Sequence, residues 1–332
     1  MSAVLVVIVA FNSGPDLQRC VDALAGQTFR DFIAVVWDNA SSDGSADGLR
    51  LPANVRLHRS SENLGFAAAN NRAAALAPSR WIACLNPDAF AEPNWLGSLV
   101  DAGERRDAAA VGSLQLHDAD PRLLDGVGDV LSIGGVAWRG GYLRPATDYQ
   151  LSEAEIFAPC AAAALYRRDA FEQAGGFDER YFAFFEDVDL GFRLRLAGGR
   201  AVFAPAAVVR HFGGGSASKV SGFAERHGLR NLVRTFAKDM PLLLWPVAFP
   251  AHLVSLAVLL WIGWKRGVLA PRWQGLVEGW ASAPAYIGEN FRTRKKLAGV
   301  LPFLVWNPLS LRARRPVLRR LRLSQQTRGR HL

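Results

Sequence analysis

Hydrophobic positions in the first ninety residues fall into short runs with polar breaks. Residues 4–11, VLVVIVAF, are continuous and β-branched, as in a strand covered on both faces. NSGPDLQRCVDALAGQ then reads as a turn and a helix, with Leu17, Val21 and Leu24 on one face. FIAVVWDNA is a second buried strand and NVRLHRSS a weaker third. Residues 64–77 form an alanine-rich helix, and RWIACLNPDA a fourth strand. This alternation predicts an α/β fold, a doubly wound and mostly parallel sheet with helices on both faces and ligands at the carboxyl ends of its strands. The polar sets Asn12-Ser13, Asp38-Asn39 and Asn86-Pro87-Asp88 all fall at such ends.

Residues 101–160 are less regular and rich in Gly and Asp, and strands and loops shaping an acceptor side are expected there. AAAALYRRDAFEQAGGFD reads as a short strand, a helix and a glycine turn. In YFAFFEDVDLGFRLRLAGG, Val188, Phe192 and Leu196 repeat at helical spacing, Leu190 and Leu194 form an adjoining stripe, and Gly198-Gly199 ends the pattern. Glu186, Asp187 and Asp189 therefore stand at a helix start. Acids cap free N–H groups there and meet the positive dipole end. Capping leaves the aromatic approach through Tyr181, Phe182, Phe184 and Phe185 unexplained. RAVFAPAAVVRHFGGGS adds a strand and a glycine loop.

After residue 239 the pattern changes, dividing the chain into 1–239 and a helical region, 240–332. Residues 240–264 carry no formal charge, and ~20 apolar residues suffice for a membrane span. Pro241, Pro246 and Pro250 interrupt the run, and the stretch after Pro250 reaches only about 21 Å as a helix, against a ~30 Å hydrocarbon core. A second uncharged run, 297–311, is broken by Pro302 and Pro308. Cations and tryptophans flank both runs, which describes attachment to an anionic membrane surface better than spanning it.

Charge sharpens that division. Residues 1–264 hold 24 Lys and Arg against 28 Asp and Glu, and residues 265–332 hold 15 against 2. The overall +9 therefore belongs to the tail, which suits a polyanionic surface. Tryptophans beside the arginines favour lipid over nucleic acid, so no nucleic-acid partner is expected. By the positive-inside tendency the basic face is cytoplasmic, giving a peripheral or monotopic protein on the inner (plasma) membrane. The apolar N-terminus has no preceding cation and runs straight into the first strand–helix unit, which reads as a buried strand rather than a signal peptide. Cys20, Cys84 and Cys160 show no disulfide or zinc spacing and fit a reducing compartment.

The motifs VIVAFNS, WDNASSDGS, ENLGFAAANN, LNPDA, GGFDERYFAFFEDVDLGFRLRLAG and HFGGGS occur in the order found in glycosyltransferase family two. The chain resembles its bacterial rhamnosyltransferase-like members over roughly residues 1–235. The resemblance implies a GT-A fold, a nucleotide-diphosphate-sugar donor, a divalent metal (Mg²⁺ or Mn²⁺), a glycan or lipid-linked glycan acceptor, and inversion at the anomeric carbon. It implies that Asp38 accepts from the pyrimidine base, with Phe11 and Asn12 lining the same pocket. On local grounds alone, Asp38-Asn39 reads equally as an Asx turn. Gly65 would allow close backbone approach. Asn63 and Asn71 would bond ribose or phosphate, or else form a turn and a helix cap.

Related enzymes hold the metal with an Asp-x-Asp motif. Here the first position is Asn86, left to bond ribose or a metal-bound water, and Asp88 is the main carboxylate. One acid suffices where phosphates and water complete the shell. His211 either completes the metal site or is structural, and Gly213–Gly215 would close over the donor phosphates. By motif position Asp187 is the general base, with Glu186 the alternative. Asp189 caps the helix or positions Arg193 and Arg195. The aromatics pack the acceptor or support the loop. Arg230-Asn231 is a phosphate contact or the polar face of a helix. The rival to an enzyme is an inactive membrane-bound nucleotide-sugar-binding or scaffold protein, which Asn86 leaves open. A nucleotidyltransferase is the rival chemistry.

Overall fold

The computed structural model describes residues 2–213, 221–292, 297–307 and 316–319. The first half runs β1 (Ser2–Ala10), α1 (Asp16–Ala25), β2 (Phe32–Asp38), β3 (Val55–Arg59), α2 (Gly65–Ala74), β4 (Ser79–Leu85), β5 (Ala89–Ala91), α3 (Trp95–Arg106), β6 (Ala110–His117), β7 (Asp120–Gly126), β8 (Asp129–Ser132) and β9 (Ala137–Arg139). The second runs β10 (Ala154–Ile156), β11 (Ala163–Arg167), α4 (Arg168–Gln173), α5 (Glu186–Leu196), β12 (Ala201–His211), α6 (Phe223–Asp239), α7 (Trp245–Lys265), α8 (Leu269–Arg292), α9 (Leu297–Val300) and β13 (Leu304–Val305).

The main sheet has the order β10-β12-β6-β11-β4-β1-β2-β3. Strands β4, β1, β2 and β3 are parallel, and β11 enters antiparallel between β4 and β6. Alternation along β1 sends Val4, Val6 and Ile8 to one face, against Leu17 and Val21 of α1 and Trp95 and Leu99 of α3. Leu5 and Val7 go to the other, against Ala67 and Ala73 of α2 and Leu190 and Leu194 of α5. Both faces of β1 are buried, which is why it reads as an unbroken apolar run. Pro205 is tolerated inside β12 because the register shifts between Ala204 and Val208.

Helix α5 joins the two ends of the molecule. Its second stripe, Val188, Phe192 and Leu196, packs on Phe236, Met240, Ala248, Val300 and Phe303. The region after 240 is thus held against the sheet domain by the helix that begins with Glu186.

Two expectations for that region are corrected. Pro250 does not end the helix: α7 runs through it for 21 residues, about 31 Å. Pro246 lies in the first turn, where a missing N–H costs nothing, and Pro250 removes a single bond one turn later. The segment Leu242–Lys265, with mean hydropathy 2.0, is by length and composition the one helix among the described residues able to cross a membrane. The second apolar run is also no free interfacial segment where it is described. Val300, Phe303 and Leu304 are buried, and β13 pairs in parallel with β8. The remainder of that run, 308–311, lies outside the described residues, as does most of the arginine-rich tail.

Candidate active site

Register places the predicted residues on one edge. Ala10 pairs with Asp38, and the Asn39 N–H donates to the Ala10 carbonyl at 2.8 Å, so β1 and β2 end together. The following loops are tied by short polar side chains. Asn12, at φ +49, accepts from Ser42 N–H (2.8 Å), and its own N–H donates to Ser41 Oγ (3.1 Å). Phe11 beside it is half-buried. Asp38 accepts from the N–H of Ser41, three residues on, at 3.0 Å, a local side-chain bond though not the two-residue Asx turn, and its second oxygen stands 3.7 Å from Arg59. Asn39 Nδ2 donates to Asn63 Oδ1 (2.8 Å), which also accepts from Gly65 N–H (2.9 Å).

Gly65 has φ +77, and a Cβ there would lie 2.6 Å from both the ring and the carbonyl oxygen of Phe182. Only glycine allows that approach. Asn71 is corrected: its Nδ2 donates to the Phe177 carbonyl (2.8 Å) and its Oδ1 accepts from Phe177 N–H (3.0 Å). Both ends of its amide bind α2 to the turn before the acidic motif, so it is a structural tie.

At the end of β4, Asn86 donates its N–H to the Ala162 carbonyl (2.8 Å), and its carbonyl accepts from Ala89 N–H (3.0 Å). This turn presents Asp88, 7 % exposed, to His211 at the end of β12, with Asp88 Oδ1 3.2 Å from His211 Nε2. His211 Nδ1 lies 2.8 Å from Asp125 Oδ2, and Arg139 bonds Asp125 from behind. Burial lowers the imidazole pKa, but hydrogen bonds and charge from Asp125 and Asp88 outweigh it and raise it to about 9. Among the described residues no three His, Cys, Asp or Glu side chains form a cluster suited to a metal. Asp88 and His211 nevertheless fit a hard divalent ion. Asp88 offers a carboxylate oxygen, His211 Nε2 becomes a second donor once the ion displaces its proton, Asp125 fixes the ring, and an ion of this class takes its other ligands from phosphate and water. Gly214 and Gly215 of the glycine loop lie outside the described residues.

Asp187 belongs to the same edge. Ala161 N–H donates to Asp187 Oδ2 at 3.0 Å, and the next residue, Ala162, is the one that Asn86 pairs with. Asp187 remains half-buried. Glu186 is buried, and its Oε2 has no hydrogen-bond partner. Burial raises both carboxyls. In Glu186 the charge of Asp187 adds to the effect, and in Asp187 the N–H groups of Ala161 and Val188 oppose it. Asp189 does not cap the helix. It is fully buried between Arg193 (Nε 2.9 Å) and Lys238 (2.7 Å), while Arg195 turns to Glu155 and the Phe157 carbonyl instead.

Sequence reasoning passed over Asp125 and Asp129. Asp129 is 6 % exposed, and burial followed by the charge of Asp187 raises its carboxyl well above the usual range. The Gly- and Asp-rich composition of 101–160 was the available signal, but no periodicity marks which Asp turns inward. A cavity of ≈ 700 Å³ lined by Asn71, Gly176, Arg180, Arg193 and Lys238 includes none of Asp38, Asp88 and Asp187.

The approach to Asp187 is strained. Phe182, Phe184 and Phe185 have φ of +67, +68 and +71, conformations costing on the order of 1–3 kcal/mol each. Phe182 centres a γ-turn closed by Ala183 N–H on the Tyr181 carbonyl (2.8 Å). Tyr181 is fully buried and supports the loop, whereas Phe182 and Phe184 are half-buried; Phe182 meets Phe223 edge-on and His227 at a tilt, and Phe184 meets Phe223 at a tilt. Arg230-Asn231 is neither phosphate contact nor solvated helix face, because both side chains donate to this loop's carbonyls.

The family model for glycosyl transferase family 2 matches residues 5–175, which carry the whole donor edge and Asp88. The chain belongs to glycosyl transferase family 2. It is 34% identical over 233 residues to the N-acetylglucosaminyl-diphospho-decaprenol L-rhamnosyltransferase of Mycobacterium tuberculosis, covering 62% of this chain and 75% of the relative. Solved family folds agree with the sheet. The structure of GalNAc-T7 with UDP, GalNAc and Mn²⁺ has a TM-score of 0.55 at 18% identity, over 72% of this chain and 48% of that one. The mannosyltransferase PcManGT of Pyrobaculum calidifontis, solved with GDP-Man and Mn²⁺, has a TM-score of 0.50 at 18% identity, over 87% of each chain. This family 2 glycosyltransferase therefore has the expected GT-A fold, followed by a helical region with one long apolar helix.

Proposed function

We propose that the chain is a metal-assisted inverting glycosyltransferase that moves a sugar, rhamnose by analogy with its mycobacterial relative, from a nucleotide-diphosphate donor to a lipid-linked or polymeric glycan in cell-surface polysaccharide synthesis. One observation carries this reading. Asp187, a half-buried carboxylate with a raised pKa, is bonded to Ala161 N–H, next to Ala162, whose carbonyl holds the turn that presents Asp88 to His211. Nucleophile activation and leaving-group binding thus have adjacent places.

In this reading Asp38 accepts from the base of the nucleotide, while Phe11 and Asn12 wall its pocket. Asp88 and His211 would hold Mg²⁺ or Mn²⁺, which when bound supplies positive charge to the departing diphosphate. The acceptor oxygen attacks the anomeric carbon. The bond from that carbon to the diphosphate oxygen breaks with its electron pair on that oxygen, and the hydroxyl proton passes to Asp187. A general base of this kind contributes ~10²–10⁴-fold.

The test is a nucleotide-sugar screen, dTDP-rhamnose included, followed by thermal shift and donor turnover with and without chelator. Stabilisation by one donor and turnover that chelator abolishes are expected. Full activity in chelator would remove the metal role, and binding without turnover would leave the inactive-protein reading.

The membrane surface is the second element of the proposal. Helix α7 buries Ala248, His252, Leu256 and Gly263 on the body and exposes Val247, Val254, Val258 and Trp261. His252 Nδ1 bonds the Gly134 carbonyl at 2.8 Å. A helix attached along one face suits lying in the interface, with Trp264, Lys265, Arg266 and Trp273 at its turn into α8. Release from anionic vesicles by alkaline carbonate is expected. Resistance to it would mean a span, and indifference to lipid charge would remove the attachment.

A further inference from the structure

The three left-handed phenylalanines before Asp187 raise a question that the transfer chemistry leaves open: what holds them. Asn231 on α6 is fully buried. Its Nδ2 lies 3.0, 2.9 and 2.8 Å from the carbonyl oxygens of Tyr181, Ala183 and Phe184. Its Oδ1 accepts from Arg230 Nε at 3.0 Å, which assigns the amide orientation and turns the nitrogen toward the loop. Arg230 Nη2 adds a bond to the Tyr181 carbonyl at 2.8 Å.

The loop is gripped from the donor side as well. The Phe182 carbonyl accepts from Phe66 N–H (2.6 Å) and Ala67 N–H (3.3 Å), two otherwise free donors in the first turn of α2. That turn starts at Gly65, whose N–H is bonded to Asn63 and whose carbonyl accepts from Asn39. A backbone path therefore runs from the donor edge, through Phe182, to the first residue of the helix bearing Asp187.

We propose that Asn231 is a positioning residue: its amide locks the left-handed loop at 182–185 so that α5 begins with Asp187 aimed at the cleft and seated on Ala161. Without it the phenylalanines relax toward negative φ, α5 starts differently, and the carboxylate leaves its place. The inference rests on the reading of Asp187 as base. It adds that α6, which carries none of Asp38, Asp88 and Asp187, influences the turnover number.

Asn231→Asp keeps the shape and replaces the donors with oxygens facing three carbonyls. A fall in kcat on the order of 10- to 100-fold is expected, as for a misplaced catalytic group, with donor KM within about twofold. Leaving Ala161 N–H also deprives Asp187 of a bond that lowers its pKa, so the acidic limb of the kcat–pH profile moves to higher pH. Glu186, Asp129, Cys84, Cys160, Tyr166 and Arg139, the titratable groups around Asp187, are untouched.

Should Asn231→Asp fail to fold, Arg230→Met, which removes the bonds to Tyr181 and to the Asn231 carbonyl, is expected to show the same split to a smaller degree. Unchanged kcat, or equal losses in kcat/KM through donor KM, would overturn the inference. Asp187→Asn measured alongside separates the two ideas. If it is inactive while the Asn231 and Arg230 variants turn over normally, the clamp alone is wrong. If it turns over normally, the base assignment is wrong and the clamp has nothing to position.

Discussion

The donor wall and the base wall of the cleft are built by different means. On the donor wall Asn12, Ser41, Asn39 and Asn63 satisfy one another and nearby backbone groups through neutral hydrogen bonds, at the ends of adjacent parallel strands. The base wall gathers Asp125, Asp129, Glu186 and Asp187 around Arg139, with burial raising three of those carboxyls. Neutral turns cost little and shape a pocket. Crowded carboxylates in a dry place oppose folding, and such clusters concentrate where a proton must be moved. On the proposed assignment, the donor wall is a scaffold for recognition, and the base wall is where stability is given up for chemistry.

If that division holds, Asp187→Asn has the largest effect. Turnover should fall ~10²–10⁴-fold, while donor affinity by calorimetry stays within about twofold. The melting temperature should not fall, since an amide replaces a carboxylate whose charged form burial disfavours. A parallel loss of donor affinity would mean that the two walls act as one.

The same division governs what the sequence makes legible. Strands β1, β2 and β4 and both stripes of α5 follow from periodicity, because each buries faces set by spacing alone. The donor edge is legible because its residues directly follow those strands. Asp125 is not: it meets His211 across 86 positions, and His211 meets Asp88 across 123. Nor is Asn231, which reaches its loop across 50. Helix α3 escaped notice, since its first half lies between the fourth strand and the stretch read as irregular, although Trp95, Leu96 and Leu99 bury one face. Pro250 misled in the opposite direction, since a proline in the second turn removes only one bond.

A smaller effect is expected behind the proposed metal ligands, Asp88 and His211. Asp125→Asn removes the carboxylate that orients His211 and faces Arg139. Mn²⁺ affinity, followed by electron paramagnetic resonance, should weaken about 10–100-fold. Turnover at saturating metal should change less, because Asp187 and its Ala161 contact are untouched. Unaltered Mn²⁺ affinity would show that His211 is held by the strand ends alone and would move the metal wholly onto Asp88.

The smallest effect is one of stability and tests the claim that the base wall opposes folding. Glu186 is 7 % exposed, and its pKa stands well above the usual carboxylate value, through burial first and the charge of Asp187 second. A carboxyl whose folded pKa exceeds its unfolded value, about 4.3 for Glu, binds the proton more tightly when folded. Its contribution to stability is complete below the unfolded value and is lost as pH rises through the folded one. Wild-type melting temperature should therefore drop over that window. Glu186→Gln should lose this component, so that the variant gains on wild type as pH rises, by about 2–4 °C for each kcal/mol involved. If the two melting curves stay parallel with pH, the Glu186 carboxyl titrates in the fold as it does in the unfolded chain, and it does not oppose folding.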